Sequence, residues 1–396
     1  MKLKKYKLYE IADLNKCSIR NSDNTPSEFI YLDTSSITEN VILGTCKVSI
    51  HDAPSRAQRR VKKNTILYST VRPRLKHYGI LPSPESNLIV STGFVTIDVK
   101  SEFQNFVDAR FLFLLLTQPH ITEHIASIAD SAVSAYPSFN PSDISALEFE
   151  IPEMNIQTHI ADIWGYYDSK IALNRQINDN LEAQLRLITS RYIFSCPNLE
   201  KKRIGEIATV KAGGDCPITF SKTRTQKCNI PIFSNGTEDR GLYGFTNKAN
   251  IEGHSITVAA RGTIGYCERR LMPFVPIIRL LTITPREDGA YIYLHQVIRG
   301  MKFKKNGSVQ QQLTVPEISF IEIPYPHSSV LREYNKVASP IVEMIERNIS
   351  ENEILTKQRD ELLPLLMNGQ ATVNYHLSSF PHRSIGHSFA PKSTRL

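Results

Sequence analysis

An internal repeat of one helical stretch constrains this chain more than any other sequence feature. Residues 157 to 192 carry apolar side chains at alternating steps of three and four, which predicts a single long amphipathic helix. When the sequence is shifted by 174 positions it aligns with itself without a gap, so residues 331 to 366 predict a second copy. Self-similarity over so long a period decides the architecture before any local motif does.

Two asparagines interrupt the apolar seam of each predicted helix. Asn174 and Asn178 both recur 174 positions later, where a coiled coil normally places apolar residues against its partner. If the helices pack antiparallel, the first asparagine of each faces the second asparagine of the other, and this polar centre fixes the alignment. The alternative is a misread seam whose asparagines face water. The predicted pairs are Asn174 with Asn352, Asn178 with Asn348, Ile171 with Leu355, and Leu181 with Ile345.

A second repeated element opens each half of the chain. Residues 8 to 12, Leu-Tyr-Glu-Ile-Ala, are echoed by Ile-Gly-Glu-Ile-Ala at 204 to 208, an offset of 196. Because the helices repeat with an offset of 174, the body between opener and helix is 22 residues longer in the first half. The openers and the long helices therefore recur, while the bodies between them differ in length and sequence.

Short runs rich in branched and aromatic residues predict β-strands in both bodies. One helix is predicted over residues 109 to 128, and Pro119 should bend or break it. The predicted fold class is α+β, with two β-rich domains in a pseudo-two-fold repeat, separated by a long antiparallel two-helix coiled coil. The predicted strands are residues 29 to 32, 41 to 43, 65 to 68 and 88 to 97 in the first body, and 230 to 233, 256 to 258 and 277 to 283 in the second.

These patterns also give domain boundaries. The predicted divisions are a first domain over 1–153, the central long helix over 154–196, a second domain over 197–327, the distal long helix over 328–372, and a loosely held tail over 373–396.

Composition favours a polyanionic partner without demanding one. Lys and Arg number 47 against 39 Asp and Glu, a net charge of +8. No run of 18 apolar residues occurs, so we expect a cytoplasmic protein and no membrane. The six cysteines lack the spacing of a zinc site, and we expect no metal and mostly buried free thiols.

A basic run in the first body is a candidate DNA contact. Eight Lys or Arg and one acid, Asp52, lie between His51 and Ile80, and hydroxyls and aromatics interleave with the last cations. Cations neutralise phosphates, whereas Arg, Lys, Ser and Thr also read base edges. The alternative is a solvated loop face. The candidate contacts here are Ser69, Thr70, Arg72, Arg74 and Lys76.

The second body carries tight turns and a basic, glutamine-rich stretch of similar character. Residues 302 to 312 combine lysines, a Gly-Ser turn and three glutamines, which suit a groove-facing loop, although a plain exposed loop is the alternative. The candidate contacts here are Lys211, Arg261, Thr263, Lys305, Ser308, Gln310 and Gln311.

Motifs for catalysis are missing from the sequence. It holds neither the Gly-x-x-x-x-Gly-Lys-Ser/Thr phosphate loop nor the Gly-x-Gly-x-x-Gly dinucleotide fingerprint. The nearest approach to the Asn/Asp-Pro-Pro-Tyr/Phe loop of DNA amino-methyltransferases is residues 140 to 143, Asn-Pro-Ser-Asp, which lacks the second proline and the aromatic. We therefore expect a chain that reads a ligand and catalyses nothing by itself, with no catalytic residues.

The order of these pieces resembles the specificity subunit of type I restriction-modification systems. The resemblance depends on the two openers, on Pro152 and Gln157 before the first helix, on the Arg261-Gly262-Thr263-Ile264-Gly265 turn, on the Gly307-Ser308-x-Gln310 loop, and on residues 362 to 369, Leu-Leu-Pro-Leu-Leu-Met-Asn-Gly. Two departures are Leu331 at the position of Gln157, and Pro340, which allows the first turns of the distal helix to be separate.

The resemblance implies a function for the chain as a whole. Each domain would be a target-recognition domain that reads one half of an asymmetric bipartite site in double-stranded DNA, and the helices would set the half-site spacing and dock two modification (adenine methyltransferase) subunits. Restriction subunits would join through these. S-adenosylmethionine, ATP and magnesium would bind to the partner subunits and not to this chain. The competing hypothesis is a coiled-coil scaffold that does not bind DNA and whose basic loops are only soluble surface.

Overall fold

The computed structural model describes residues 3–19, 27–131, 137–196, 199–303 and 312–371. The chain divides into two compact units. Unit 1 runs to Ser169 and includes the residues from Leu355 onward, and unit 2 is Lys170–Ile354. Each of the two long helices contributes one part to each unit.

Unit 1 contains a β-rich body followed by the start of a long helix. Its strands are β1 (Lys4–Lys7), β2 (Ala12–Leu14), β3 (Glu28–Leu32), β4 (Ile37–Thr38), β5 (Val41–Ile42), β6 (Cys46–Ser49), β7 (Ala57–Arg60), β8 (Thr65–Ser69), β9 (Tyr78–Leu81), β10 (Leu88–Ser91), β11 (Phe94–Val99) and β12 (Glu148–Ile151). Its helices are α1 (Leu8–Ile11), α2 (Ala109–Leu116), α3 (Pro119–Ser131), α4 (Pro141–Ser145) and the first part of α5 (Met154–Thr189).

The strands of unit 1 form two four-stranded sheets and two strand pairs. One sheet has the order β6-β3-β10-β7, the other β2-β11-β8-β9, and β1 pairs antiparallel with β12. The largest core packs the second sheet against α2, and includes Ile160 and Trp164 of α5 as well as Leu366. The sheet and the long helix therefore share one hydrophobic core.

Unit 2 repeats this plan with fewer strands. Its strands are β13 (Glu200–Arg203), β14 (Ala208–Ala212), β15 (Ile230–Phe233), β16 (Leu242–Thr246), β17 (Ser255–Val258), β18 (Cys267–Arg270), β19 (Val275–Pro276), β20 (Leu281–Pro285) and β21 (Glu322–Tyr325). Its helices are α6 (Ile204–Ile207), α7 (Ala290–Gly300), α8 (Val315–Phe320) and the first part of α9 (Ser328–Met367).

The two sheets of unit 2 differ in size. One has the order β14-β20-β17-β18 and packs against α7, and the other has the order β16-β15-β19. The strand β13 pairs antiparallel with β21, as β1 pairs with β12 in unit 1. The main core also includes Leu185 of α5 and Leu331, Tyr334 and Val342 of α9.

The repeated openers fold into the same small frame in both units. In each, a glutamate caps a one-turn helix by accepting a hydrogen bond from the backbone N–H three residues earlier. The distance is 2.7 Å from Lys7 N to Glu10 Oε2 and 2.9 Å from Arg203 N to Glu206 Oε2. The glutamate satisfies a backbone donor that has no partner within the helix, which explains why the Glu-Ile-Ala sequence recurs.

Gln157 links the start of α5 to the segment before α2, and Leu331 occupies the corresponding position in unit 2. The Gln157 amide is fully buried, donates to the carbonyls of Phe106 and Pro152 at 2.8 Å each, and accepts from the Asp108 N–H at 2.9 Å. Leu331 is buried in the apolar core of unit 2. The departure from the repeat therefore exchanges a hydrogen-bonded amide for an aliphatic contact.

Pro340 does not divide the distal helix, contrary to the sequence expectation. Helix α9 is continuous from Ser328 to Met367. A proline inside a helix removes one backbone hydrogen bond and crowds the preceding turn. Ala338 and Val342, on either side of it, are both completely buried in the unit 2 core, and this packing holds the helix together across the proline.

Two of the predicted strands are wrong in detail. Residues 88 to 97 form two strands, because the chain leaves one sheet after Ser91 and enters the other at Phe94. Residues 277 to 283 begin with a turn, in which Ile278 and Arg279 have left-handed φ angles of 52° and 59°. The prediction of a break at Pro119 is confirmed, since α2 ends at Leu116 and α3 begins at Pro119.

The cysteines are free, as predicted, but most are not buried. Only Cys228 and Cys267 are buried, while Cys46 and Cys216 are exposed and the other two are intermediate. The exposed pair lies in short loops and edge strands that the sequence pattern did not distinguish from core. Burial raises the pKa of the Cys267 thiol to about 12, so that thiol is inert near neutral pH.

Candidate nucleic-acid interface

The asparagine pairs of the long helices both form within unit 2. The Asn174 side-chain N–H donates to Asn352 Oδ1 at 2.9 Å, and the Asn348 N–H donates to Asn178 Oδ1 at 2.8 Å. Residue numbers rise along one helix as they fall along the other, so the helices are antiparallel here. The predicted asparagine register is confirmed, and the alternative of solvated asparagines is wrong for Asn174, which is 1% exposed.

The polar centre extends beyond the amides to neighbouring groups. Asn174 also donates to Glu351 Oε2 at 2.7 Å, and Lys170 lies 3.4 Å from the same carboxylate. These two contacts, the amide hydrogen bond first, lower the pKa of Glu351. Asn178 and Asn352 each donate to a backbone carbonyl of the facing helix, at 3.3 and 3.4 Å. The asparagines therefore satisfy their own donors while they fix the alignment.

Ser69 and Thr70, predicted as DNA contacts, both bond to the backbone of the first body; Ser69 is buried and Thr70 is half-buried. Ser69 is 3% exposed, and its hydroxyl donates to the Val71 carbonyl at 3.1 Å. The Thr70 hydroxyl donates to the Gly93 carbonyl at 3.0 Å. Both side chains shape the turn after β8, so their part in any interface is to position it.

The three predicted cations of this turn are exposed, but carboxylates already pair with two of them. Arg74 lies 3.1 Å from Glu123 and 2.6 Å from Asp130, and Lys76 lies 2.5 Å from Glu39. Arg72 and Lys76 both have left-handed φ angles, 48° and 55°. The structure therefore brings these cations together at a strained, exposed turn whose charge is partly neutralised.

The predicted contacts of the second body lie on exposed turns. Lys211 is exposed at the end of β14, and Arg261 and Thr263 are exposed on the turn between β17 and β18. The Arg261 guanidinium donates to Gln312 Oε1 at 2.7 and 3.1 Å. Four further candidates lie outside the described residues: Lys305, Ser308, Gln310 and Gln311.

Asn235, which sequence reasoning missed, joins the turns of the second body. Its side-chain N–H donates to the Ile278 carbonyl at 2.7 Å, and its oxygen accepts from the Ala260 N–H at 2.7 Å. One amide thus fixes the Arg261 turn relative to the exposed Ile278-Arg279 turn. The available signal was the Ser-Asn-Gly sequence at 234 to 236, which is typical of a tight turn.

A second group of missed residues lies on the loop from Thr219 to Cys228, which we call the cationic loop. Its sequence is Thr-Phe-Ser-Lys-Thr-Arg-Thr-Gln-Lys-Cys, with three cations and no acid. Lys222, Arg224 and Lys227 are all exposed. Cations interleaved with hydroxyls and an aromatic residue were the signal that singled out the turn of the first body, and the same test would have found this loop.

The side chains that these turns expose are cations, hydroxyls and amides. Among the residues that the structure describes, no three metal-ligating side chains come together. In the same part of the chain, no helix has the length and apolar character needed to cross a membrane. Exposed arginine, lysine, hydroxyl and amide groups on turns are suited to phosphates and base edges.

Known proteins resemble this chain over most of its length. The type I restriction enzyme HindI specificity subunit of Haemophilus influenzae is 25% identical, over 92% of this chain and 99% of that protein. The type I restriction enzyme MjaIX specificity subunit of Methanocaldococcus jannaschii is 22% identical over 78% of each. A crystal structure of a type I restriction-modification S subunit from M. genitalium matches 92% of this chain with a TM-score of 0.55 at 18% identity, which supports the fold.

A family model described as the type I restriction modification DNA specificity domain matches the chain twice, over residues 2–183 and 198–363. The two matches correspond to the two copies of the repeat, each with its opener, its β-rich body and its long helix. Because together they cover far more than half of the sequence, this chain belongs to the family of type I restriction modification DNA specificity domains.

Proposed function

We propose that this chain is the DNA specificity subunit of a type I restriction-modification complex, in which each body reads one half of an asymmetric bipartite target. The observation that supports this proposal most strongly is that the same frame holds two different bodies. The frame is the strand pair β1·β12 with α1 in unit 1, and β13·β21 with α6 in unit 2. Within it, one body has sheets of four and four strands, and the other has sheets of four and three.

Different bodies predict different half-sites. Base edges in the major groove are read by the particular side chains that reach them, so two unlike sets of exposed turns select unlike sequences. The candidate readers are Arg72 and its neighbours in the first body, and Lys211, Arg261, Thr263 and Arg279 in the second. Paired cations such as Arg74 would have to exchange a carboxylate for a phosphate, which makes them positioning contacts.

Membership of the family supports a proposal for the partners. We infer that the chain assembles with two modification subunits along its long helices and, through them, with restriction subunits, and that the helices set the spacing of the half-sites. The chain would be the non-catalytic member, and S-adenosylmethionine, ATP and magnesium would be used by its partners. Such a complex would act on double-stranded DNA in the cytoplasm.

A body exchange tests the proposal. Residues 14 to 143 would be replaced by the corresponding body of another specificity subunit, and the methylated sequence would be read from genomic DNA of cells that express the assembled complex. We expect one half-site to change and the other to stay. The matched control replaces residues 209 to 316 and should change only the other half. A change in both half-sites after either exchange contradicts modular reading.

A further inference from the structure

The cationic loop of unit 2 presents charge that the protein itself does not neutralise. Lys222, Arg224 and Lys227 are exposed, and within the described residues no carboxylate lies at ion-pair distance from any of them. This differs from the turn of the first body, where Arg74 and Lys76 have carboxylate partners. Positive charge left free on a surface is available to an outside anion.

Aromatic rings hold two of these cations in place. Lys222 Nζ lies 4.1 Å from the ring centroid of Tyr243, and the Arg224 guanidinium lies 5.4 Å from that of Phe245. The ring of Phe220 lies 5.5 Å from Lys222 Nζ and 5.6 Å from the Tyr243 ring. A ring face attracts a cation through its quadrupole and leaves the charge in full, so each cation stays fixed and charged.

Both rings belong to the same strand. Tyr243 and Phe245 are two residues apart on β16, on either side of the buried Gly244, and the register of β16 against β15 shifts at Tyr243. Lys222 and Arg224 over these rings are therefore close neighbours along one strand, and two neighbouring positive charges suit a polyanion.

Hydrogen bonds fix the loop against the outer edge of β16. Ser221 and Phe245 exchange backbone hydrogen bonds of 2.9 and 2.8 Å, and the Thr246 hydroxyl donates to the Thr219 carbonyl at 2.7 Å. A Cβ on Gly244 would lie 2.5 Å from the Phe220 ring and 2.7 Å from the Ser221 carbonyl oxygen. Only glycine allows so close an approach, so the sequence of β16 itself accommodates the loop.

We propose that the cationic loop contacts the phosphate backbone of the DNA bound by the second body, and that it adds affinity without reading sequence. This inference rests on the proposed function, since it assumes that unit 2 binds duplex DNA. Neighbouring cations that are held in place and have no carboxylate partner among the described residues are suited to phosphates, which carry one charge about every 3.4 Å of helix axis on each strand. Contacts of this kind set the position of a protein on DNA and carry no direct sequence information.

The test compares two double variants that each remove two ring-bound cations. Lys222→Ala with Arg224→Ala removes the proposed contacts. The matched control is Lys202→Ala with Arg203→Ala, because these cations also lie over rings, at 5.4 Å from Tyr325 and 5.5 Å from Phe320, but each has a carboxylate partner. The full-length chain, assembled with its modification subunits, is titrated against a non-cognate DNA duplex over a range of salt concentrations.

We expect the slope of log affinity against log salt to fall in magnitude by about 1.8 in the loop variant, since each lost phosphate contact contributes about 0.9. The control should keep nearly the whole slope. A charge-preserving variant, Lys222→Arg with Arg224→Lys, should restore it. The methylated target sequence should be the same in the loop variant as in the wild type.

The possible failures are distinguishable. If the wild-type complex itself shows no salt-dependent affinity for duplex DNA, the proposed function fails and the inference fails with it. If the wild type shows a steep slope and the loop variant matches it, only the inference is overturned. A loop variant that keeps its slope but binds its modification subunits less tightly would make the loop a protein-docking surface. An altered target sequence would make it a base reader.

Discussion

The two units hold their β-rich bodies to the long helices by different interactions. In unit 1, Trp164 of α5 packs against Phe113 of α2 with 5.4 Å between ring centroids, and Phe113 packs in turn against Tyr78 of β9. In unit 2, Glu182 of α5 is bound by Arg269 of β18 and by Arg299 of α7, the latter at 2.9 Å. Unit 1 also has an ion pair between its body and α5, Arg110 with Asp162 at 2.6 Å, but that pair is largely exposed. The buried attachment is therefore aromatic in unit 1 and ionic in unit 2.

The repeat makes the origin of this difference visible. Trp164 corresponds to Ala338 in the second helix, while Ile160, one turn earlier, corresponds to Tyr334. Tyr334 is fully buried, and its hydroxyl lies 2.8 Å from that of Thr189. The aromatic residue has therefore moved by one turn between the copies, and buried charge is found in unit 2. Packing positions are conserved by the repeat, but the chemistry at each position is not.

A second ionic contact strengthens the contrast. Arg240 lies 3.0 Å from Glu346 of α9 and 2.8 Å from Glu268 of β18. Although burial opposes its charge, these two carboxylates raise the pKa of Arg240 above its usual range. Buried ion pairs contribute little net stability, yet the loss of one partner is costly because the other charge stays buried. Unit 2 should therefore be the more sensitive of the two to single changes of charge.

The largest expected effect is that of Glu182→Ala. This change leaves the Arg269 guanidinium, 4% exposed, without its carboxylate, and should cost about 4 kcal/mol of stability. Urea unfolding gives the magnitude, and hydrogen exchange should show the loss in unit 2. Glu182→Gln keeps the shape and the acceptor oxygen and should cost less. A loss below about 1 kcal/mol for the alanine variant would contradict an ionic attachment.

Trp164→Ala should have the next largest effect, and it should act on unit 1. The ring is 8% exposed and belongs to the main core of that unit, so its removal leaves a cavity that costs about 3 kcal/mol. Trp164→Phe, the matched control, keeps an aromatic contact with Phe113 and should lose less. If the alanine variant exchanged its amide hydrogens faster than the wild type by the same factor in both units, the two attachments would not be independent. The same unfolding and exchange measurements decide between these outcomes.

The smallest effect concerns pH and should appear in unit 2, where the buried attachment is ionic. Burial first, and then the charges of Arg269 and Arg299, lower the pKa of His295 well below its usual value of 6.5, although a hydrogen bond with the Cys267 backbone opposes this. The unfolded chain then binds more protons than the folded chain below pH 6.5. Stability should therefore fall as the pH drops through 6.5, by at most about 1.4 kcal/mol per pH unit.

The control for this pH effect is His295→Gln, which removes the titrating group and keeps an amide near Arg269. Unfolding free energies of both proteins between pH 7 and pH 5 should diverge as the pH falls, with the variant losing less. Parallel curves would show that the acid sensitivity of the chain comes from carboxylates such as Glu268, whose pKa is lowered by Arg240 even though burial opposes that shift.

Much of the frame could be read from the sequence, because its determinants are local or periodic. The two long helices follow from apolar spacing, the openers from a repeated Glu-Ile-Ala sequence, and the asparagine register from the symmetry of a repeat packed against itself. The pairing of Asn174 with Asn352 follows from the antiparallel packing of two like helices, so it can be predicted without the rest of the molecule. The break at Pro119 is of the same kind, since it depends on one residue and its backbone.

The tertiary structure alone decided which charges are available and where the chain turns. Pro340 continues a helix because Ala338 and Val342 are buried, and Ile278 lies in a left-handed turn where its β-branched side chain predicted a strand. Lys76 and Lys222 look alike in the sequence, yet one lies beside Glu39 and the other over Tyr243. These outcomes depend on residues distant in sequence, and a linear pattern carries no information about which distant side chain lies at bonding distance.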